Sequence, residues 1–202
     1  MNSPNTTYEI RRCHWFQLWG QSKRQQSPRH LRDYGIKSAG FNGNAYNINT
    51  GPIALTGTGD SALLYFQNDE VDDYIVTAVE VGIGTLSATI TDSALITVIR
   101  NPTGGDLISD ATAASIVANS NFGSANTFSA TTLIYKGKDG GTITGGADHA
   151  QFYATGGLRV TTELNIVIPR SSSIAIKIDL NTSGGGNVYA ALIGHLRDSN
   201  LG

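Results

Sequence analysis

Four acidic residues form a cluster whose side chains could bind a cation. These acids lie close together at Asp69, Glu70, Asp72 and Asp73. Carboxylate oxygens are the ligands that Ca²⁺ prefers, but this spacing lacks the repeated acids and the glycine of a dedicated calcium loop. A solvated loop is therefore expected here, and a bound cation remains the alternative.

The histidines and the single cysteine do not have the spacing of a metal site either. Metal-binding histidines and cysteines recur at short fixed intervals, as in H-x-x-x-H or C-x-x-C. Here the candidates are the adjacent pair Cys13 and His14, and the separate residues His30, His149 and His195. The sequence therefore predicts no bound metal and no cofactor.

No catalytic signature accompanies the acids. Asp148 and His149 could supply two members of a Ser-His-Asp triad, but no G-x-S-x-G elbow is present, and the pair is predicted to lie in a loop. A glycoside hydrolase needs two carboxylates facing each other across a cleft. The candidates for that chemistry are Glu70, Glu80 and Glu163. We predict that the protein is not an enzyme.

The elements that position these residues are predicted to be β-strands. Three follow one another at residues 158–168, 173–180 and 188–196. In the first two, apolar and polar residues alternate with a period of two, which is typical of a half-buried strand. In the third, both faces are apolar, which indicates a central or interface strand. Because turn residues and no helix separate the three strands, neighbouring strands are expected to be antiparallel.

The rest of the chain also favours strands and turns. The whole chain contains 24 glycines in 202 residues, many β-branched residues and no alternation of strands with helices. A short helix is predicted near residues 110–118, capped by Ser109 or Asp110. Further strands are predicted near residues 45–49, 52–58, 60–67, 74–83, 94–100, 131–135 and 150–154. The predicted fold class is all-β, an antiparallel, jelly-roll-like β-sandwich with an extended N-terminal arm.

The N-terminal arm, residues 1–35, differs in composition from the predicted sandwich, residues 36–202. Residues 1–37 hold seven basic and two acidic side chains, a balance of about +5, whereas the remainder has a balance of about −7. Exposed aromatic clusters usually mark interaction sites. The predicted partner-binding residues are Arg11, Arg12, Trp15, Phe16, Leu18, Trp19, Arg24, Arg29 and Arg32.

Several conformations of the arm remain open. Trp15 and Trp19 would share one face of a helix, whereas an extended arm would add to a sheet edge. The binding partner of the arm is predicted to be another protein. A fold-back onto the sandwich and a nucleic-acid contact are the alternatives.

The chain lacks the marks of membrane insertion and secretion. It has one cysteine, no apolar run near the roughly 18 residues needed to span a membrane, and no signal pattern in its first residues. We expect synthesis in the cytoplasm and no membrane partner.

Three segments resemble jelly-roll accessory proteins of tailed-phage virions, of the decoration or cement type. They are IRNPTGGDLISDAT, NSNFGSANTFSATTLIYKG and IPRSSSIAIKIDLNTSGGGNVYAALIGHL. The resemblance covers roughly residues 72–197, excludes the arm and carries no catalytic residues. It implies a protein of the bacteriophage capsid surface that binds the major capsid protein, associates with itself as a homotrimer and stabilises the assembled shell. Nucleic acid is not an expected partner.

The alternative function is a tail- or fibre-associated module that binds host glycans. Tyr135, Phe152 and Tyr153 could line such a site, because aromatic rings stack on sugar rings. Core or cross-strand packing is the default interpretation of the same three residues.

Overall fold

The computed structural model describes residues 39–40, 42–56, 59–84, 93–110, 112–113, 116–180 and 185–197. Nearly all regular elements in these ranges are strands, as predicted. They are β1 (Ala45–Asn49), β2 (Ile53–Leu55), β3 (Gly59–Gln67), β4 (Asp73–Ile83), β5 (Ser93–Arg100), α1 (Asp106–Ser109), β6 (Thr112–Ala113), β7 (Ile116–Asn119), β8 (Leu133–Lys136), β9 (Ala147–Thr155), β10 (Arg159–Ile168), β11 (Ser173–Leu180) and β12 (Gly186–Arg197). None of the helices in the described ranges is long and apolar enough to span a membrane.

The strands form two six-stranded sheets in which every pair is antiparallel. Sheet A has the order β10-β4-β12-β1-β7, with β2 also paired to β12. Sheet B has the order β6-β8-β3-β11-β5-β9. The prediction of an all-β antiparallel fold is confirmed.

The strand pairs are nested along the chain. The early strand β1 pairs with the last strand β12, and β3 pairs with β11. Inside these pairs, β4 is bonded to β10, and β5 to β9. Each outer pair therefore encloses the next one, and the successive pairs fall alternately in sheet A and sheet B.

One hydrophobic core lies between the two sheets and takes residues from both. Its centre is aromatic: Phe66 of β3 lies with its ring centroid 4.9 Å from that of Tyr74 of β4 and 5.7 Å from that of Phe128. The even-numbered side chains Ile166 and Ile168 of β10 point into this core, as their alternation predicted. This pattern works because successive side chains of a strand point to opposite faces.

The three strands from 158 to 196 are present, but they do not pair with one another as expected. β10 and β12 lie in sheet A, while β11 lies between β3 and β5 in sheet B. Each of the two short links therefore carries the chain from one sheet to the other. Periodicity reports which residues face the core and says nothing about which strand lies alongside, so the pairing could not be read from it. The central position of β12, between β4 and β1, is confirmed.

The outer face of sheet B is covered by a second, smaller hydrophobic cluster. It joins Tyr65 and Ala175 of the sheet to Leu107 of α1. For this reason the outward residues Ser173 and Ala175 of β11 are buried, although alternation had indicated a wet face. A face that looks polar in sequence becomes buried here because a distant loop packs on it.

The predicted helix near residues 110–118 is wrong. Residues 112–113 and 116–119 belong to β6 and β7, and the helix lies earlier, at Asp106–Ser109. Its N-cap is Gly105, so neither Ser109 nor Asp110 is the predicted N-terminal cap, and Asp110 is instead the C-cap. Asp106 bonds to the Thr142 amide and hydroxyl and pairs with Lys138 at 3.3 Å, and these contacts lower the pKa of its carboxyl. These distant partners hold the short helix, and local sequence does not reveal them.

Candidate interaction surface

The edge strands β9 and β10 form one side of the molecule. β9 ends sheet B and β10 ends sheet A, and the two strands adjoin each other. They are joined by a tight turn in which Gly157, with φ of 75°, donates its amide to the Ile83 carbonyl at 2.9 Å. Within the described ranges, no strand bonds to the second edge of either one. Unpaired backbone groups of this kind are ready to pair with another chain. We call these two strands and their turn the β9–β10 side.

Exposed apolar side chains are concentrated on this side. Among the described residues, five large hydrophobic side chains are prominently exposed. Three of them belong to the β9–β10 side: Tyr153 is 64% exposed, Leu158 59% and Val167 46%. Leu158 and Tyr153 lie near the turn and Val167 lies near the other end of β10, so apolar side chains occur along the length of this free edge.

Both edge strands also carry features that restrict open-ended pairing. The register of β10 against β4 shifts between Glu163 and Ile166, and that of β9 against β5 shifts where His149 is the extra residue. Such bulges bend an edge strand and break its regular ladder. Arg159 and Glu163 add charge to β10. The side is therefore suited to a specific partner and resists indefinite stacking of strands.

A polar cluster lies beside this edge on the outer face of sheet A. Glu80 of β4 accepts a hydrogen bond from the Tyr189 hydroxyl at 2.8 Å and lies 3.7 Å from Arg159. The Tyr189 ring occupies the space over Gly82, where a side chain would overlap it. Burial, followed by the bond to Glu80, raises the pKa of Tyr189. The cluster fixes the start of β10 against its neighbours.

The loop between β7 and β8 presents a second apolar group, which sequence analysis missed. Phe122 is 97% exposed. Asparagines hold the loop beneath it: Asn121 accepts the Gly123 amide at 3.0 Å, and Asn126 donates to the Asn42 carbonyl at 3.2 Å. The signal was an aromatic residue inside a run of turn-forming residues, SNFGSAN. β7 and β10 are the two edge strands of sheet A. Phe122, which follows β7, and the β9–β10 side therefore lie at opposite edges of that sheet.

Three of the four carboxylates at 69–73, those of Asp69, Glu70 and Asp73, bond to different parts of the chain. Asp69 pairs with Arg170 at 3.3 Å, and bonds from Thr131 and Arg170 lower the pKa of its carboxyl. Further along the loop, Asp73 pairs with Arg197 at 2.9 Å. The Glu70 carboxylate accepts bonds from the Ser129 amide and the Thr132 hydroxyl, both at 2.6 Å. The described residues include no group of three or more metal-ligating side chains. These acids therefore tie the loop to neighbouring elements.

The residues considered for sugar binding are not brought together. Phe152 packs against the main core, while its neighbour Tyr153 is exposed on the outer face of β9. Tyr135 of β8 stacks on Tyr65 with ring centroids 5.8 Å apart. Three strands separate β8 from β9, which places the two tyrosines on the order of 19 Å apart. They form no common platform for a sugar ring.

The hydrolase candidates do not face one another across a cleft. Glu80 and Glu163 lie on neighbouring strands of sheet A, where Glu80 is engaged by Tyr189. Glu70 is held by the 129–132 loop. None of the three lines the two cavities at the ends of β10. The pair Asp148 and His149 lies in strand β9, so its predicted loop position is wrong.

The remaining predicted residues divide between described and undescribed parts of the chain. The arm residues, from Arg11 to Arg32, lie outside the described residues, as do Cys13, His14 and His30. His195 lies on β12, and its Nδ1 is buried without a hydrogen-bond partner in the described part. A scan against protein-family models found no match, and searches of curated proteins and of solved structures found none either.

His195 should make the fold sensitive to acid. Burial, and then the charge of Arg197, lower the pKa of His195 below its ordinary value of 6.5. The unfolded chain therefore binds a proton more readily than the folded one below pH 6.5, and the free energy of unfolding should fall as the pH decreases through that range. Above pH 6.5 this loss is absent.

The test compares wild type with His195→Asn by urea denaturation across the range from neutral to mildly acid pH. As the pH falls, wild type should lose more of its free energy of unfolding than His195→Asn loses. A difference that stays constant with pH would show that His195 does not carry the acid sensitivity.

Proposed function

We propose that this protein is an accessory structural protein of a tailed-phage virion, a jelly roll that decorates the capsid surface and cements the shell. It binds the major capsid protein, associates with itself as a homotrimer and performs no catalysis. The residues of the N-terminal arm, 1–35, serve as the docking segment.

The observation that carries this proposal is the nested strand pairing. The pairs β1 with β12, β3 with β11, β4 with β10, and β5 with β9 alternate between the two sheets. A hairpin of eight strands rolled up on itself would produce this order, and the nested pairing therefore supports the proposed jelly roll. Jelly rolls recur among viral capsid proteins, although the fold by itself does not determine a function.

Two separate apolar surfaces support a role in assembly. The β9–β10 side and the loop at Phe122 lie at opposite edges of sheet A. Contacts between unlike surfaces of identical subunits generate closed rings when the rotation closes, as a trimer requires. This favours self-association, and it leaves the basic arm available to the shell.

The stabilising mechanism is avidity. Each copy contributes a modest interface, and the contacts among neighbouring copies and the tethered arm raise the effective concentration of every other contact. Since the protein binds the assembled shell and not its dissociated subunits, shell stability rises by mass action. The charge balance of about +5 in residues 1–37 suits an acidic protein surface.

Deletion of residues 1–30 should leave the two sheets folded but abolish incorporation into capsids. The described core contains none of these residues, whereas the predicted anchors Trp15 and Trp19 are among them. The measurement is rebinding of the purified protein to capsids stripped of it, with native mass and thermal unfolding recorded for both chains.

A full-length trimer that rebinds, beside a folded truncated chain that does not, is the expected result. Full incorporation of the truncated chain would remove the docking role from the arm. A full-length protein with no affinity for stripped shells at any salt concentration would overturn the proposed function.

A further inference from the structure

A cavity of about 260 Å³ opens at the end of the fold where β10 meets sheet B. Its deep part is apolar, because Ile168 of β10 and Ile174 of β11 are each only 2% exposed. Its rim is polar and includes Arg100, Asn101 and His149, all exposed. This volume is just below the roughly 300–1,000 Å³ typical of small-molecule sites, so its occupant must be small.

The hydrogen-bond donors Arg100 and His149 at this rim are not used by the described part of the fold. Among the lysines and arginines of the described part, Arg100 alone forms no hydrogen bond or ion pair; the bonded ones are Lys136, Lys138, Arg159, Arg170, Lys177 and Arg197. His149 likewise makes no side-chain hydrogen bond with the described residues. The nearby Asp148 accepts a hydrogen bond from Gln151 at 3.2 Å. Two donors thus line one cavity, and neither bonds to an acceptor in the described part of the chain.

The backbone around the rim is fixed by specific contacts. Arg100 is the last residue of β5, and Asn101 follows it with φ of 48°, which few residues other than glycine adopt. Asn101 exchanges two hydrogen bonds with Ser173, each of 2.9 Å, one through its backbone amide and one through its side-chain oxygen. His149 is the extra residue of the β9 bulge, and bulges redirect side chains. Unusual backbone conformations that surrounding contacts maintain are concentrated at binding sites.

We propose that this cavity binds a carboxylate carried on a short aliphatic group. The guanidinium of Arg100 donates two parallel hydrogen bonds to a carboxylate, and an imidazole N–H of His149 and the Asn101 amide nitrogen supply further donors. The aliphatic part contacts Ile168 and Ile174. Arg100 provides one fixed positive charge, which matches a single carboxylate better than a doubly charged phosphate.

This inference does not depend on the virion role proposed above. The same carboxylate chemistry has two possible sources: a free small molecule, and an aspartate or glutamate side chain of a second copy of this chain. Both would place the charged group at Arg100 and the methylene groups against the isoleucines. The experiment distinguishes the two sources.

The full chain is titrated with acetate, butanoate and hexanoate, and amide shifts are followed by NMR. We expect millimolar affinity that increases with aliphatic length, with shifts centred on Asn101, His149 and Ser173. Arg100→Gln should weaken hexanoate binding at least about tenfold, because a bond to a charged partner is lost. The matched control is Arg170→Gln, which removes an exposed arginine that pairs with Asp69 outside the cavity lining and should leave affinity unchanged.

Three results would overturn the proposal: no binding by any of the carboxylates, equal affinity of Arg100→Gln and wild type, or inorganic phosphate binding as tightly as hexanoate. Arg100→Lys keeps the positive charge but loses the two-pronged guanidinium, so it should bind hexanoate with intermediate affinity. This variant also shows whether the loss in Arg100→Gln comes from a folding defect. Native mass at fixed protein concentration identifies the source. Dissociation of an oligomer by hexanoate indicates an acidic side chain of a second copy, and an unchanged mass indicates a free ligand.

Discussion

Phe66→Ala should lower the free energy of unfolding by about 3–5 kcal/mol, the range for truncating a fully buried aromatic side chain. Phe66 is 0% exposed and connects the two sheets, since it lies on β3 and contacts Tyr74 of β4. It also contacts Phe128, which is partly buried against the same core. The alanine would leave a cavity lined by rigid rings that cannot collapse into it, so both the transfer of apolar surface and the lost packing contribute.

The chain offers a matched control in the same residue type. Phe122→Ala removes an identical side chain that is 97% exposed, and it should change stability by less than about 0.5 kcal/mol. Denaturant unfolding of the two variants beside wild type measures both effects. Equal stability of Phe66→Ala and Phe122→Ala would contradict the two-sheet core described above.

Gly137→Ala should destabilise the fold by about 3 kcal/mol, the upper part of the range for overpacking. Gly137 follows β8 and donates its amide to the Leu63 carbonyl of β3 at 2.8 Å. A Cβ at this position would overlap the backbone of Ala62 and Leu63. A strand backbone cannot rotate away as a side chain can, so β8 would have to separate from β3.

Gly40→Ala is the control for this substitution. Its added Cβ would meet nothing within 4 Å, and Gly40 does not have a positive φ. Alanine there should be neutral or stabilise by up to about 1 kcal/mol, because it restricts the unfolded chain. Thermal unfolding of both variants distinguishes steric overlap from a general preference for glycine. A loss of stability in Gly40→Ala as large as that in Gly137→Ala would refute the steric explanation.

The sequence by itself determined most of the strands and the side chains of β10 that face the core. Alternation located β10 and β11, and the apolar faces of β12 predicted its central place. These features depend on local geometry, because side chains of a strand point alternately to its two faces. The acids Asp69, Glu70 and Asp73, which the sequence offered as a cation site, form ties between elements in the structure.

Only the tertiary structure decided which strands are neighbours, which faces are covered and where unused groups meet. The links after β10 and β11 cross between sheets, and α1 forms at Asp106–Ser109 because Thr142 and Lys138 hold it. Arg100 and His149 are 49 positions apart in sequence and meet at one cavity through the pairing of β5 with β9. Strand pairing joins residues across long stretches of chain, and periodicity is a local property that cannot report such contacts.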